Sequence, residues 1–388
     1  MNRVIILVYM AGLLLMTCSR KDNSLTVQNE TSLDQMCRPF VFELESLHQK
    51  YGTPKAGKLI PIDEHEQVVP FQYDDINGDG FADELFFQMD IKANSQKKVY
   101  FKSSAENYQF EAATNVFLGK IEGDSVKSLE RAERLDTWDN RITAGTFRAE
   151  GICWENDKVG FRNYFDMRNG MDIFGKTTSE MIMDKVGSPA LGNYHELSDW
   201  GMDILKVGQS LGAGALALYY KDSLIRLTST DATFKTGYNG PLRSAFSLNF
   251  YSVDLGDKQI DVAQTIEIQK GKYYYTSKVS LSDTSGIQLV AGIVNLHDTD
   301  MKMLDVSNNT VLYTFGRQSE NKDLLGMAIQ VPNDIFIKAV DTNDISNEIP
   351  DTYAAVISPD NATYRFYACW EKSEPVYFGS EDSFINFR

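Results

Sequence analysis

The chain has 388 residues with a hydrophobic fraction of 43%, which is enough apolar material for a folded core and excludes intrinsic disorder. Its formal net charge of −16, without any basic tract, excludes nucleic acid and anionic membrane surfaces as partners. An acidic sugar would also be repelled at long range, so binding it would require local Arg or Lys side chains.

The N-terminus has the pattern of an exported lipoprotein. Arg3 is followed by an apolar segment over residues 4–16, which is short for a membrane span, and "LMTC" ends at Cys18. This segment resembles a bacterial lipobox; the alternative is a plain secretion signal with a chance cysteine. We predict a signal peptide over residues 1–18, a lipid on Cys18 and a flexible tether over residues 19–35. The expected location is the outer membrane of a Gram-negative bacterium, on its periplasmic side or at the cell surface.

Beyond the tether, short segments with alternating apolar residues dominate. "LFFQMDI", "SAFSLNFYSV" and "TYRFYACW" are rich in β-branched and aromatic residues and are bounded by turn-forming residues. Helical patterns are few and short, over residues 41–51 and 179–186. We predict an all-β fold, either a β-sandwich or a barrel, as one domain over residues 36–388 with a weak sub-boundary near residue 135.

Three cysteines remain after Cys18, namely Cys37, Cys153 and Cys369. Their spacing is not that of a metal site. We predict three buried thiols, and one disulfide with a free thiol is the alternative.

The segment "YDDINGDGFADELFF" carries oxygen-bearing side chains at alternating positions. They are Asp75, Asn77, Asp79 and Asp83. This spacing is typical of the start of a calcium loop, although the usual distal bidentate Glu is missing. The alternative is a hairpin turn, because Asn-Gly and Asp-Gly pairs favour tight turns. Calcium is therefore the one candidate cofactor.

The segment "CWENDKVGFR" concentrates side chains that suit a sugar. They are Trp154, Glu155, Asn156, Asp157 and Arg162. An aromatic ring stacks on a pyranose face, and planar amide or guanidinium groups bind hydroxyls or a carboxylate. A polar turn at the edge of a sheet explains the same residues equally well.

The segment "YHELSDWGMDILKVGQSLGAG" places a histidine among carboxylates. His195, Asp199 and Asp203 are four residues apart and fall on one side of the segment. A histidine held by a carboxylate can act as a general acid or base, and Lys206 could neutralise a substrate carboxylate. The alternatives are a structural histidine in a polar turn and, with weaker support, a metal ligand. The glycines that follow would let the backbone approach a ligand.

These blocks, together with "NGPLRSAFSLNF", resemble the family called domain of unknown function 4861. The resemblance runs in order from about residue 70 to 250, and "ATYRFYACWE" is similar to the family's last strand. It implies a large β-sandwich of the supersandwich type, similar to galactose mutarotases and to some polysaccharide lyases. It also implies exported or lipid-anchored proteins of Bacteroidetes that are often encoded with pectin- and uronate-degrading enzymes. Asp199 lies where members of the family vary, so we leave it out of the predicted site.

The sequence therefore predicts a protein that acts on oligosaccharides containing uronic acid, as a hydrolase or a lyase. The predicted catalytic residues are His195, Asp203 and Tyr194. The predicted substrate-binding residues are Trp154, Glu155, Asn156, Asp157, Arg162, Lys206 and Arg243. The alternatives are an epimerase related to the mutarotases and a non-catalytic glycan-binding lipoprotein that uses Trp154 and Trp200. Unpaired charges are costly to bury, so we expect two segments of the chain to line one cleft, with Arg243 pointing at the same place. The residues expected there are His195, Asp203, Lys206, Trp154, Asn156, Asp157 and Arg162.

Overall fold

The computed structural model describes residues 24–228, 231–297, 299–345 and 348–386. Strands make up 52% of the described residues and helices 8%, so the predicted all-β class is confirmed. The strands in the first half are β1 (Ser24–Asn29), β2 (Gln35–Glu43), β3 (Lys58–Ile62), β4 (Phe71–Asp74), β5 (Glu84–Ile91), β6 (Ser95–Ser104), β7 (Thr114–Glu122), β8 (Ser125–Ser128), β9 (Arg131–Glu133), β10 (Phe147–Asn156), β11 (Val159–Tyr164), β12 (Met171–Lys176) and β13 (Gly201–Asp203).

The strands in the second half are β14 (Ala213–Tyr220), β15 (Ser223–Arg226), β16 (Ala232–Asn239), β17 (Arg243–Asp254), β18 (Gln259–Gln269), β19 (Tyr274–Leu281), β20 (Ile287–Val294), β21 (Lys302–Val306), β22 (Asn309–Gly316), β23 (Leu325–Pro332), β24 (Phe336–Asp341), β25 (Thr352–Ile357) and β26 (Thr363–Trp370). The helices are α1 (Leu44–Tyr51), α2 (Asn140–Thr146), α3 (Pro375–Phe378) and α4 (Glu381–Asn386), with a 3-10 turn at Thr342–Asp344.

The main body is a two-layer antiparallel sandwich. One layer is a nine-stranded sheet with the order β21-β22-β23-β26-β19-β18-β17-β16-β9. The other layer contains a six-stranded sheet (β13-β12-β11-β10-β7-β8) and a five-stranded sheet (β15-β14-β20-β25-β24). These two sheets meet side by side, where Met171 of β12 bridges Gly212 beside β14. The inward side chains of all three sheets form one apolar core.

The N-terminal part has a core of its own. Two three-stranded sheets, β1-β6-β3 and β2-β5-β4, enclose Leu47, Leu85, Phe87 and Phe101 together with other apolar residues. The predicted tether is therefore wrong over residues 24–29, which pair with β6 as strand β1.

The predicted sub-boundary near residue 135 is also wrong. Leu135 packs against the main core, and β9, which lies just before it, pairs with β16 of the nine-stranded sheet. The last strand that contributes to the small N-terminal core is β6, which ends at Ser104. Strand β7, which begins at Thr114, already belongs to the main body.

The helix predicted over residues 179–186 is a series of turns. The backbone N–H groups of Ile182 and Met183 donate to the carboxylate of Glu155, each at 2.7 Å. A buried carboxylate on the neighbouring strand therefore takes donors that a helix would use internally.

No helix in the described part of the chain has both the length and the apolar character needed to cross a membrane. Cys18, the predicted signal peptide and the first residues of the predicted tether lie outside the described residues. Lipid anchoring therefore stays a prediction.

Candidate active site

The candidate site lies on the outer face of the six-stranded sheet. Strand alternation sends Trp154, Phe161 and Ile173 into the main core and the neighbouring residues outward. The register pairs Arg162 with Cys153 and Asp172, and it pairs Phe174 with Asp203. Cross-strand partners share a face, so charged side chains from three strands converge there. The segment over residues 177–200 covers part of this face with a small apolar cluster.

Arg162 organises the buried part of the site. Its Nη2 donates to Oδ2 of Asp172, to Oδ2 of Asp203 at 3.0 Å and to the hydroxyl of Tyr164 at 2.9 Å. The tyrosine hydroxyl in turn donates to Oδ2 of Asp172 at 2.7 Å. The Arg162 side chain is only 1% exposed, so it cannot reach a substrate. It instead fixes the two carboxylates.

His195 lies at the surface above this cluster. Its Nδ1 is 3.4 Å from Oδ2 of Asp203, and its side chain is 62% exposed. The ring of Tyr194 lies beside it, with 4.3 Å between the ring centroids. The N–H of Asp203 donates to the carbonyl of Tyr194 at 2.8 Å, which ties this segment to strand β13. The structure thus brings together all three residues that the sequence predicted as catalytic.

Burial shifts the proton equilibria of this group. The pKa of Asp203 is raised well above its usual range, first by burial and then by the nearby Asp172 carboxylate, while Arg162 lowers it. Burial also raises the pKa of the Tyr194 hydroxyl, against the lowering effect of Arg162. Asp203 can therefore hold a proton at a higher pH than an ordinary aspartate does. That proton would lie within reach of an exposed imidazole.

A bulge in strand β10 borders the site. The pairing with β7 shifts between Phe147 and Ile152, and Ala149 and Glu150 have positive φ angles of 53° and 59°. Each such residue costs on the order of 1–3 kcal/mol, and bulges of this kind occur often beside functional sites. The carbonyl of Ala149 accepts from Nη1 of Arg162 at 3.3 Å. The Glu150 carboxylate forms an ion pair with Arg168 at 2.8 Å.

Our sequence reasoning missed four residues of this region: Glu150, Tyr164, Arg168 and Asp172. Two of them could have been found from strand alternation. Arg162 and Tyr164 are two residues apart on one strand, and a hairpin turn at "MRNG" would bring Asp172 opposite Arg162. The bulge that places Glu150 could not be read from local composition.

The prediction that Trp154 and Trp200 stack on a sugar is wrong, because both rings are buried. Trp154 is fully buried among Phe161, Phe246 and Tyr275, and Trp200 is 8% exposed. A ring without an open face cannot stack on a sugar.

Glu155 and Asn156 do not join the site either, because they are buried and protein groups use their polar atoms. Glu155 forms a fully buried ion pair with Lys176 at 2.5 Å. The amide of Asn156 donates to the carbonyls of Gln269 and Lys272, and Asp157 accepts from the N–H of Gly271. These contacts fix the β10–β11 turn to the β18–β19 turn. The prediction that Glu155 and Asn156 bind substrate is wrong in this structure, because both are buried, and for the half-buried Asp157 it stays a prediction.

Arg243 is also misplaced by the sequence prediction. It is 4% exposed and pairs with Asp74 at 2.7 Å, Glu84 at 2.6 Å and Glu267 at 3.4 Å. It therefore joins the small N-terminal sheets to the nine-stranded sheet, and it does not point at His195.

Lys206 remains available as a substrate-binding residue. It is exposed, and its side chain forms no ion pair within the described ranges.

The glycines after Lys206 serve packing. A Cβ on Gly212 would lie 2.0 Å from the carbonyl oxygen of Met171, and one on Gly214 would lie 2.4 Å from the hydroxyl of Tyr275. The expected approach to a ligand is thus replaced by close contact between neighbouring strands.

In the acidic loop after β4, carboxylate oxygens accept hydrogen bonds from backbone N–H groups of the same loop. Asp75 accepts from the N–H groups of Gly78, Asp79 and Gly80, and Asp83 accepts from those of Ile76 and Asn77. Among the residues that the structure describes, no group of three or more His, Cys, Asp or Glu is placed to hold a metal ion. Calcium binding by Asp75, Asn77, Asp79 and Asp83 stays a prediction.

Cys37, Cys153 and Cys369 are free thiols. Cys153 and Cys369 are buried, whereas Cys37 is half-buried. Burial raises the pKa of the Cys153 thiol to about 12, so it stays protonated and behaves as an apolar side chain.

With this geometry in hand, the family can be stated. The family model described as Domain of unknown function (DUF4861) matches residues 27–387. The chain belongs to this family. The relative "Uncharacterized protein P7" of Formosa agariphila is 23% identical to it, over 96% of this chain and 93% of that protein.

Two solved structures are similar at 10% sequence identity. An alpha-mannosidase from Enterococcus faecalis V583 gives a TM-score of 0.46, covering 93% of this chain and 44% of that one. A protein in the glycosyl hydrolase family 38 from Enterococcus faecalis gives 0.48, covering 94% and 46%. The chain thus spans less than half of either structure, and we draw no function from likenesses this distant.

Proposed function

We propose that the protein cleaves oligosaccharides containing uronic acid by β-elimination, with His195 as the base. The observation that carries this proposal is an exposed imidazole held 3.4 Å from a buried carboxyl group and packed beside Tyr194. The family's association with uronate-glycan degradation supports the substrate class.

In this reaction His195 removes the C5 proton of the uronate. The electron pair of the C5–H bond forms the C4–C5 double bond, and the bond from C4 to the leaving oxygen breaks. Tyr194 gives its proton to that oxygen, and the proton on the imidazole later returns to the tyrosinate through solvent. Asp203 orients the ring of His195, so that the imidazole faces the C5 proton.

Burial favours elimination over hydrolysis by two carboxylates. Hydrolysis needs an acid and a second carboxylate that both reach the sugar. Glu155 and Asp172 have no exposed surface, and Asp203 is 3% exposed. Of the acid and base groups next to Asp203, His195 and Tyr194 are the ones proposed to reach the sugar. An epimerase would use the same base, but it would return the proton to C5 and leave no double bond.

The test is a set of variants assayed on pectic and ulvan oligosaccharides by the ultraviolet absorbance of new double bonds. His195→Ala should lower the turnover about 10²- to 10⁴-fold, as the loss of a general base does. It should keep its fold, because the side chain is largely exposed. Leu197→Ala is the matched control, since Leu197 is 45% exposed on the same segment. Turnover that survives in His195→Ala contradicts the catalytic role.

The same variant separates an enzyme from a binding module. A binding module predicts no turnover in the unmodified protein and a loss of affinity in His195→Ala. Of the four tryptophans only Trp138 has an open ring, 59% exposed at the start of α2, and it is the best remaining stacking platform.

We also propose that a lipid on Cys18 anchors the protein to the outer membrane. The support is the lipobox-like sequence "LMTC" after an apolar segment. Cys18→Ser should move the protein from the membrane fraction to the soluble fraction, with an unchanged melting temperature. Continued sedimentation of this variant with membranes would rule the anchor out.

A further inference from the structure

Arg168 lies in the turn between β11 and β12 and is held rigidly. Its Nε donates to both carboxylate oxygens of Asp166 at 3.0 Å, and its Nη2 donates to Asp166 at 2.6 Å and to Glu150 at 2.8 Å. Its guanidinium carbon lies 4.1 Å from the ring centroid of Tyr164. Two carboxylates and one aromatic face thus fix the plane of this guanidinium.

One edge of this guanidinium is open. Within the described residues Nη1 of Arg168 has no hydrogen bond, and it is not among the buried polar atoms that lack a partner. The side chain is 22% exposed, against 1% for Arg162 and 4% for Arg243. Of these three arginines, Arg168 is the one that a ligand can reach. A pre-oriented guanidinium with a solvent-facing NH₂ group is a binding group for carboxylates.

This arginine is joined to the His195 site by direct contacts. The Tyr164 ring packs against both guanidinium groups, 4.1 Å from the carbon of Arg168 and 4.6 Å from that of Arg162. Arg162 in turn binds Asp203, which contacts His195. The Tyr194 ring lies near the bulge of β10, with Gly187 between them. A Cβ on Gly187 would lie 3.8 Å from the Tyr194 ring and 3.4 Å from the backbone nitrogen of Ala149.

Of the two carboxylates that bind Arg168, Glu150 is the one that a ligand would compete with. Asp166 is fully buried and is held by Thr143 as well as by Arg168. Glu150 is 16% exposed, and the strained bulge of β10 presents it to Arg168. An incoming carboxylate would therefore meet Glu150 at the same guanidinium.

We propose that Arg168 binds the carboxylate of the uronate ring and that Glu150 occupies this guanidinium until the sugar displaces it. The inference rests on the proposed function and deepens it, because it assigns the cation that elimination needs. That cation draws charge from the carboxylate and makes the C5 proton easier to remove. The sequence predicted Arg162, Arg243 or Lys206 for this role. Arg162 and Arg243 are out of reach, whereas Lys206 is exposed.

The test compares two variants whose expected effects have opposite signs. Binding is measured by titration calorimetry in the His195→Ala background. The probes are short oligogalacturonides and ulvan oligosaccharides, each used as the free acid and after reduction of its carboxylates to alcohols. Arg168→Gln should weaken binding of the acid probe about 10- to 100-fold, as the loss of a charge-assisted hydrogen bond does. It should leave the reduced probe unaffected.

Glu150→Gln should tighten binding of the acid probe severalfold, because it removes the competing charge and keeps the shape of the side chain. A purely structural ion pair predicts that both variants lower the melting temperature and that neither changes the affinity for the acid relative to the reduced probe. That result would overturn the proposal, as would equal affinity of the unmodified site for the two probes.

Two further outcomes remain distinguishable. If Arg168→Gln does not fold, the gain expected from Glu150→Gln still decides the question. Turnover that survives in His195→Ala would remove the catalytic role of His195, while the binding comparison at Arg168 would stand by itself.

Discussion

Two groups of buried charges share the outer face of the six-stranded sheet. They differ in how completely their charges are paired and shielded from solvent. Lys176 and Glu155 have no exposed side-chain surface and match one to one. The ammonium group also donates to the carbonyl of Asn156 at 2.7 Å, and the carboxylate accepts two backbone N–H groups. Arg162 instead faces two carboxylates, and one of them, Asp203, contacts an exposed histidine.

The difference separates a structural charge from a functional one. In the Lys176–Glu155 pair each charge has its partner and neither side chain is exposed, so a ligand cannot reach it. In the Arg162 group a second carboxylate exceeds the local positive charge. The pKa of Asp203 is raised first by burial and then by the neighbouring Asp172 carboxylate. A proton is thereby held next to the surface at His195. Functional sites commonly carry this kind of incomplete compensation.

The largest expected effect is on the closed pair. Lys176→Met should lower the free energy of unfolding by about 3–5 kcal/mol, because it leaves Glu155 buried without its cation. Denaturant unfolding followed by circular dichroism measures this loss. The double variant Lys176→Met/Glu155→Gln should recover part of it, since the amide still accepts from Ile182 and Met183 and carries no charge.

The exposed pair Lys221–Asp257 is the matched control, with the same type of ion pair at the surface. Lys221→Met should change stability very little, because solvent screens an exposed pair. If Lys176→Met were as mild as Lys221→Met, the closed pair would not be structural, and the comparison drawn above would fail.

The fold class could be predicted from the sequence. Which of the charged groups are covered by other segments, and so hidden from solvent, could not. Alternation along strands identified an all-β fold, because side chains on one face of a strand recur at every second residue. The choice of a sandwich over a barrel came from the family resemblance. The same alternation places Glu155 and Arg162 on the outer face, but it does not say which segment covers them. The 177–200 segment decides this, because it buries Glu155 and leaves His195 exposed.

Local composition also misled where burial depends on distant strands. Trp154 and Asn156 look like a sugar-binding pair, but their partners lie more than ninety residues further along the chain, at Phe246 and Lys272. The structure brings His195 and Asp203 together as expected, because they are near in sequence and meet through one short connection. Pairing between Tyr194 and Asp203 supplies that connection.

The smallest expected effect concerns the Arg162 group. It is a change in how the free energy of unfolding depends on pH. Because the pKa of Asp203 is raised in the folded state, the folded protein holds a proton that the unfolded chain has already released above the usual aspartate range. Stability should therefore fall as the pH rises from that range toward the raised pKa, with a slope of up to about 1.4 kcal/mol per pH unit from this group. Asp203→Asn should remove this part of the slope while keeping an oxygen for Arg162.

The difference between the two proteins reports on Asp203 together with its immediate neighbours, because distant shifted carboxyl groups, such as Glu155, are common to both. The measurement is the free energy of unfolding at a series of pH values for each protein. The expected curves diverge with rising pH, and the variant becomes the relatively more stable protein at the upper end. Parallel curves would mean that Arg162 fully compensates both carboxylates. The site would then be as closed as the Lys176–Glu155 pair, and it would have no proton to share with His195.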